Sequence, residues 1–322
     1  MNLKPRLACL ALVAAALPAG ALAQGYPTKP VRLVVPFTPG ASNDVLSRAV
    51  ALGMAPGLGQ PVVVDNRPGA GGMIGAEHVA RAEPDGYTIL NIQASFATNA
   101  ALRAKMPYDT ARDFAYIGMM AKGPMLVTVH PSMPVQSVKA LVQLVKARPG
   151  QLNYGSSGNG GINHLSTELF RRMAGIDIVH VPYKGIALAI TDLIGGHVQL
   201  VITSLPSAYT QVKAGRLKAL AVGSARRTAF APEIPTVSES GVPGYVAELW
   251  WGLAAPARVP PDVVNRLASE LTRTLQSADT RQRFANEGAE PTPLTREQFA
   301  AFVQNEVVRW RQVARDANLQ PD

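Results

Sequence analysis

The chain has 322 residues, of which 47% are hydrophobic and only 16% are charged. This composition provides enough apolar material for one large domain or two ordinary ones, and it excludes an intrinsically disordered protein. The formal net charge is +9, but the basic residues are spread singly or in pairs and aromatic residues make up only 6%, which argues against a nucleic-acid partner. The single cysteine excludes a disulfide framework and a cysteine-rich zinc site.

The first 23 residues have the pattern of a secretory signal peptide. Lys4 and Arg6 precede an apolar run over residues 7–17, and residues 21–23 form a small-x-small cleavage site. The apolar run is too short to span a bilayer comfortably, and no later stretch approaches the roughly 20 apolar residues of a membrane span. We therefore expect cleavage after Ala23 and export of a mature chain that does not span a membrane.

Short β-branched runs then alternate with glycine-rich turns and helical patterns. The predicted strands occupy residues 31–35, 62–64, 87–92, 125–129, 152–154, 178–181, 200–202, 219–222 and 249–253. The predicted helices occupy residues 43–52, 73–80, 163–173 and 187–194, with others beginning after Ser137, Pro260 and Thr295. The repetition of strand, loop and helix is typical of an α/β fold with parallel strands.

The order of these elements predicts two α/β lobes, the second inserted into the first. Residues 24–124 and 248–322 form lobe 1, and residues 125–247 form lobe 2. The chain then crosses between the lobes twice, near residues 124–125 and near residues 248–249. We expect these two crossings to form a hinge.

Three glycine-rich loops follow strands and open helices, at residues 36–44, 68–72 and 155–161. Glycine lets backbone N–H groups approach a ligand closely, and a helix N-terminus supplies unpaired donors and a positive dipole end. The three loops together indicate an anion-binding cleft. Asp192 either lines this cleft or only belongs to its helix.

Enzymatic and metal-dependent alternatives have weaker support. The second loop has Ile74 where a dinucleotide-binding fingerprint needs glycine, and the chain has no Gly-Lys-Ser/Thr sequence of a P-loop. Ser156 or Ser157 with His164 is a candidate hydrolase pair, although the Gly-x-Ser-x-Gly pattern is one residue short. His164 and Glu168 lie one helical turn apart, but without a third ligand they indicate a solvated helix face. We predict no metal and no cofactor.

Five motifs together resemble one family. They are Val-Val-Pro-Phe-Thr-Pro-Gly at residues 34–40, Asp-Asn-Arg-Pro-Gly-Ala-Gly-Gly at 65–72, Asn-Tyr-Gly-Ser-Ser-Gly at 153–158, Val-Pro-Tyr-Lys-Gly at 181–185 and Pro-Thr-Val-Ser-Glu-Ser-Gly at 235–241. In combination they resemble the Bug receptors, the periplasmic solute-binding proteins of tripartite tricarboxylate transporters. The resemblance extends over nearly the whole mature chain.

The resemblance implies a two-lobed type II periplasmic-binding-protein fold with a ligand cleft between the lobes. Such a receptor closes on a small organic acid in the periplasm, as a monomer, and delivers it to inner-membrane permease subunits or signals to a sensor kinase. The family's three loops grip carboxylates largely through main-chain groups and waters. That implies ligand-binding roles for Gly40, Ala41, Ser42, Ala70, Gly71, Ser156, Ser157, Asn159 and Gly160.

The same loops contain further polar candidates for ligand binding. These candidates are Asn43 and Asp44 in the first loop and Asn163 after the third, together with Asp192. No arginine or lysine lies in the three loops, at residues 36–44, 68–72 and 155–161. We therefore expect a mono- or dicarboxylate held by backbone N–H groups and Ser or Asn side chains rather than by an arginine clamp. Ala41 stands where the family usually has a second glycine.

Overall fold

A computed structural model describes residues 25–319, so the predicted signal peptide and its cleavage site lie outside the described residues. The first part of the chain alternates strands and helices. Its elements are β1 (Val31–Val35), α1 (Ser42–Leu58), β2 (Val62–Asn66), a 3-10 turn (Ala70–Gly72), α2 (Met73–Ala80), β3 (Thr88–Gln93), α3 (Ala94–Leu102), β4 (Phe114–Val129) and α4 (Val138–Ala147).

The second part of the chain repeats this alternation and ends in helices. Its elements are β5 (Asn153–Ser156), α5 (Ile162–Ala174), β6 (Val179–Pro182), α6 (Ile186–Ile194), β7 (Leu200–Ser204), α7 (Leu205–Lys213), β8 (Lys218–Val222), β9 (Glu248–Pro256), α8 (Pro261–Gln276), α9 (Ala278–Asn286), β10 (Glu290–Pro291) and α10 (Arg296–Asp316). Within residues 25–319, no helix has both the length and the apolar character needed to cross a bilayer.

The strands form one continuous sheet in the order β2-β1-β3-β9-β4-β7-β5-β6, with β8 and β10 also paired to β4. Parallel pairs lie at both ends of this order: β1 pairs with β2 and β3, and β5 pairs with β6 and β7. The carboxyl ends of β1, β2 and β5 lead into the three glycine-rich loops. The predicted α/β class with parallel strands is therefore confirmed, with antiparallel strands at the centre of the sheet.

The 16-residue strand β4 joins the two halves of the sheet. Its residues 114–124 pair with β9, and its residues 125–129 pair with β7 and β8. The N–H of Met125 donates to the carbonyl of Ala247 at 3.4 Å, so the chain returns from the second half beside the point where it entered. The sequence predicted only the second part of this strand.

Helix α1 continues well beyond its predicted end at residue 52. It runs to Leu58 and contains Pro56 in its last turns. Proline has no N–H to donate to the carbonyl four residues earlier, which belongs to Leu52. Leu52 is 59% exposed, so this missing hydrogen bond lies on the solvent side of α1.

Helix α10 packs across the molecule and connects its two halves. Thr295 and Gln298 form the predicted capping box at its start. Trp310 is fully buried, in the same apolar cluster as Met125 on β4 and Phe170 on α5. The last helix therefore shares a core with both halves of the sheet.

Candidate ligand-binding cleft

A cleft of about 890 Å³ lies between the two halves of the molecule. On one side it is lined by Phe37, Gly71, Gln93, Ser95, Thr98, Asn99, Leu102 and Arg103. On the other side it is lined by Ser157, Asn159, Gly160, Gly161, Ile162, Asn163, His164, Glu168, Arg171, Ile178, His180 and Ile186, with residues 317–319 contributing after α10. A cleft of this size accommodates a small organic molecule.

Some of the residues predicted from the sequence lie on this cleft and others do not. Those that line it are Gly71, Ser157, Asn159, Gly160 and Asn163. Those that do not line it are Gly40, Ala41, Ser42, Asn43, Asp44, Ala70, Ser156 and Asp192. The ligand-binding roles of all of them stay predictions.

In the first loop, Asp44 acts as an internal acceptor. Its carboxylate accepts hydrogen bonds from the N–H of Gly40 at 3.0 Å, Nε of Arg48 at 2.9 Å and Nδ2 of Asn66 at 2.9 Å. Burial would raise the pKa of Asp44, but these bonds outweigh it and the pKa is lowered. Asp44 is therefore an ionised group that fixes the shape of the loop.

Asn43 ties the same loop to the centre of the sheet. Its side-chain oxygen accepts a hydrogen bond from the indole N–H of Trp251 on β9, and both side chains are buried. Ala41 is the N-cap residue of α1 but supplies no side-chain cap, while Ser42 begins the helix. The first turn of α1 thus has backbone donors without a capping side chain.

In the third loop, Ser157 and Asn163 hold each other in place. The Ser157 hydroxyl donates to Oδ1 of Asn163 at 2.8 Å, and Nδ2 of Asn163 donates to the carbonyl of Ile202 on β7 at 2.9 Å. The N–H of Gly160 donates to Nδ1 of His164 at 3.0 Å. The loop that opens α5 is therefore preorganised by its own polar groups.

Ser156 contacts a histidine that the sequence did not indicate. Its hydroxyl lies 2.6 Å from Nε2 of His180 on β6 and also bonds to both the N–H and the carbonyl of Gly158. Ser156 is fully buried. The rings of His180 and His164 stack with centroids 3.9 Å apart. The histidine that Ser156 contacts is thus His180 and not His164, the histidine of the candidate hydrolase pair.

His164 and Glu168 do not form the solvated helix face that we expected; that prediction is wrong. They are 3% and 6% exposed, respectively. Glu168 accepts hydrogen bonds from the Tyr154 hydroxyl at 2.6 Å and from Arg171 at 2.9 Å. The sequence did not predict that this face of α5 is buried, because its residues are polar. They can be buried because their polar groups form hydrogen bonds with neighbouring side chains. Asp192 accepts from the Tyr183 hydroxyl at 2.7 Å, away from the cleft.

Helix α3 and the residue that follows it supply a set of cleft residues that sequence reasoning missed. They recur at i, i+3, i+4, i+7 and i+8, the spacing of one helix face: Ser95, Thr98, Asn99, Leu102 and Arg103. The spacing was a usable signal, but the small residues of this segment hid the helix. Arg103 and Arg171 line the cleft, so the absence of arginine from the loops does not extend to the whole site.

Comparisons with known proteins agree with the fold. The sequence profile of the tripartite tricarboxylate transporter family receptor matches residues 46–319. The protein BugT of Bordetella pertussis is 36% identical over 320 residues, which cover 98% of both chains.

Two solved structures are similar over most of the chain. One is an R. palustris protein solved with adipate; it is 38% identical, with a TM-score of 0.83, and the match covers 92% of this chain and 100% of that one. The other is MatC from Rhodopseudomonas palustris with bound malate; it is 30% identical, with a TM-score of 0.77, and the match covers 89% and 99%. The resemblance inferred from the loop motifs and the two-lobed periplasmic-binding-protein fold are confirmed. The chain is therefore a Bug-type member of the tripartite tricarboxylate transporter receptor family, whose members are periplasmic solute-binding receptors.

Proposed function

We propose that this chain captures a small organic acid in the cleft, without chemical turnover, and delivers it to inner-membrane permease subunits. The main support for this proposal is that the two sides of the cleft come from the two halves of the sheet. A receptor that captures its ligand by closing its two lobes requires this arrangement. Two similar receptors were solved with adipate and malate, and both of these ligands are carboxylates. Signal cleavage after Ala23 would place the mature chain in the periplasm.

The start of α5 is a suitable place for a carboxylate. Its N-cap, Gly161, has no side-chain cap, and Gly161, Ile162 and Asn163 all line the cleft. The first N–H groups of a helix have no partner within the helix, and the positive end of its dipole stabilises an anion by about 0.3–1 kcal/mol. Gly71 faces this helix start from the other side of the cleft.

A screen of unlabelled acids tests the ligand class. Thermal unfolding of the mature protein is measured with adipate, malate, amino acids and aromatic acids, with sugars as the matched uncharged set. We expect at least one carboxylate to raise the melting temperature, because a ligand that binds only the folded state stabilises it. Stabilisation by sugars and by no acid would contradict the proposal.

The two-lobe division and hinge are part of the same proposal. Residues 24–124 with 248–322, and residues 125–247, are proposed to move about the two crossings near residues 124–125 and near residues 248–249. The hydrogen bond between the N–H of Met125 and the carbonyl of Ala247 supports this proposal, because it joins the chain next to both crossings. X-ray scattering should show a smaller radius of gyration with saturating ligand, and unchanged scattering would argue against closure.

A hydrolase is the second candidate, because Ser156 lies 2.6 Å from His180. The buried hydroxyl of Ser156 is already bonded to Gly158, which leaves it poorly presented to a substrate in the cleft. A panel of esters, amides and phosphoesters should show no turnover. Turnover that disappears in Ser156→Ala would favour the hydrolase instead.

A further inference from the structure

Arg103 lies at the C-terminal end of the α3 face that lines the cleft. It follows Leu102, the last residue of the helix, and its side chain forms part of the same surface as Ser95 and Asn99. Asn99 donates to the carbonyl of Gly71 at 3.0 Å, so the Gly71 loop lies beside the middle of α3. Four residues of helix separate Asn99 from Arg103, which is a rise of about 6 Å.

The guanidinium of Arg103 is not neutralised by the part of the chain that the structure describes. Its Nε is buried and has no hydrogen-bond partner within residues 25–319. The other arginine of the cleft, Arg171, pairs with buried Glu168 at 2.9 Å. Three charged residues line the cleft. The charges of Arg171 and Glu168 cancel, so Arg103 gives the cleft a net charge of one positive unit.

Arg103 is a half-buried cation on the surface of the cleft without a carboxylate partner in residues 25–319, so it favours an anionic group in the cleft. Arginine presents a planar fork of donors that matches a carboxylate in bidentate fashion. Along α3, Arg103 lies about 6 Å beyond Asn99, whose side chain bonds the carbonyl of Gly71, beside which the first carboxylate is proposed to bind. One short carboxylate group does not extend over that distance, whereas a chain with an anionic group at each end does.

We propose that Arg103 binds the second anionic group of the ligand and so gives this receptor a preference for dianionic acids over matched monoanions. This inference rests on the proposed function, since it takes the first carboxylate to lie near Gly71 and the start of α5. The ligand class is then a linear diacid or an acid with an equivalent second anion.

Calorimetric titration with diacids and their monomethyl esters tests this assignment. The linear diacids with three to eight carbons are compared with esters of the same length, which lack one charge. For the best diacid, we expect the wild-type protein to bind it about 10- to 100-fold more tightly than its ester. In Arg103→Gln this ratio should fall to near one while the affinity for the ester stays the same.

Two further variants keep the result interpretable. Arg103→Lys retains the charge but not the planar fork, so it should keep only part of the preference. Arg258→Gln removes the same charge from an exposed residue that does not line the cleft, and it should bind as the wild type does. A cation at the end of α3 also interacts favourably with the helix dipole, so thermal unfolding is followed separately from binding.

The outcomes separate the inference from the proposed function. The role of Arg103 would be overturned if esters and diacids bound equally well to the wild-type protein. It would also be overturned if Arg103→Gln kept the preference for the diacid over its ester. Both results would leave the proposed capture of carboxylates intact. Failure of every acid to bind the wild-type protein would overturn both.

Discussion

Leu102 at the end of α3 lies directly against Gly160 in the loop before α5, so these two residues join the opposite sides of the cleft. A Cβ placed on Gly160 would lie 3.2 Å from Cδ1 of Leu102. Gly160 also has φ +71°, a left-handed conformation that side chains disfavour. The position therefore requires glycine both for its backbone and for the contact across the cleft.

Gly160→Ala should weaken ligand binding, because its methyl group would push Leu102 away and separate the sides of the cleft. We expect about a tenfold loss of affinity, equivalent to about 1.4 kcal/mol. Left-handed strain should also reduce the free energy of unfolding by about 1–2 kcal/mol. Adding Leu102→Ala should restore much of the affinity but not the stability. Titration calorimetry and urea unfolding measure the two quantities.

The matched control is Gly175→Ala, at the other end of α5. Gly175 has φ +59° and open space around its Cβ position, so the control has the backbone strain without the contact. It should lose stability and bind ligand normally. Equal losses of affinity in Gly160→Ala and Gly175→Ala would show that strain, and not the contact with Leu102, weakens binding.

The stability of the C-terminal helix should depend on Glu306. This buried carboxylate accepts hydrogen bonds from the indole N–H groups of Trp310 at 2.9 Å and Trp250 at 3.3 Å, and from Arg309 at 3.1 Å. Glu306→Leu leaves both indoles without a partner and should lower the free energy of unfolding by about 2–5 kcal/mol. Glu306→Gln, whose amide oxygen can still accept from the indoles, should cost about 1–2 kcal/mol.

Urea unfolding measures these losses, with Glu83→Leu as the control at an exposed glutamate. The control should change the free energy of unfolding by no more than about 0.5 kcal/mol. If Glu306→Leu were as stable as the control, the indole hydrogen bonds would not contribute to the fold.

Local patterns in the sequence were enough to predict the alternation of strands, loops and helices and the capping box of α10, although they missed α3, α7 and α9. They were not enough for the first part of β4, where Gly118, Gly123 and Pro124 resemble turn residues. That segment is a strand because β9 pairs along it, with register shifts between Tyr116 and Gly118 and between Met119 and Ala121. Pairing with a distant strand here overrides the local preference.

The residues of the site also divide into those that local sequence patterns predict and those that they do not. The loop that contains Ser157 and Gly160 was predicted because glycine-rich turns are local features. The contact of Ser156 with His180 joins residues 24 apart in sequence, and the opposing positions of Leu102 and Gly160 are set by the sheet. No local pattern encodes which residues will meet across a cleft.

Asp44 should stabilise the first loop in a pH-dependent way. Burial raises the pKa of Asp44, but the hydrogen bonds from Arg48, Gly40 and Asn66 lower it by a larger amount. The pKa of Asp44 in the folded protein therefore lies below the unfolded value near 4. Its contribution is complete above that unfolded value and is lost as the pH falls through the folded pKa. Asp44→Asn should therefore cost about 1–3 kcal/mol at pH 7, and less as the pH drops below 4.

Urea unfolding between pH 3 and pH 7 measures this difference. Asp279→Asn is the matched control, because Asp279 forms the same i,i+4 pair with Arg283 but is 66% exposed. Solvent screens such a pair, so its removal should change stability by no more than about 0.5 kcal/mol. A gap between wild type and Asp44→Asn that does not shrink at low pH would contradict the assigned ionisation.

The stacked histidines should make the stability of the protein fall on acidification while leaving ligand binding near neutral pH unaffected. Burial, reinforced by His164, lowers the pKa of His180 to about 4, although Glu168 opposes the shift. Burial also lowers the pKa of His164. Both rings are thus neutral near pH 7, and we expect no histidine step in ligand affinity between pH 7 and pH 8.

Stability falls on acidification because the unfolded chain binds a proton at His180 at a higher pH than the folded protein does. Unfolded histidine titrates near pH 6.5, so His180 contributes fully above that pH, and its contribution falls as the pH drops towards 4, by at most about 1.4 kcal/mol per pH unit. Urea unfolding at pH 4.5 to 7 should show a shallower slope in His180→Asn, which has no titrating ring. His197→Asn, at an exposed histidine, should keep the wild-type slope. The slope measures the protons that the chain takes up on unfolding. If His180→Asn also kept the wild-type slope, His180 would not contribute to this uptake, and its protonation would not be what destabilises the protein.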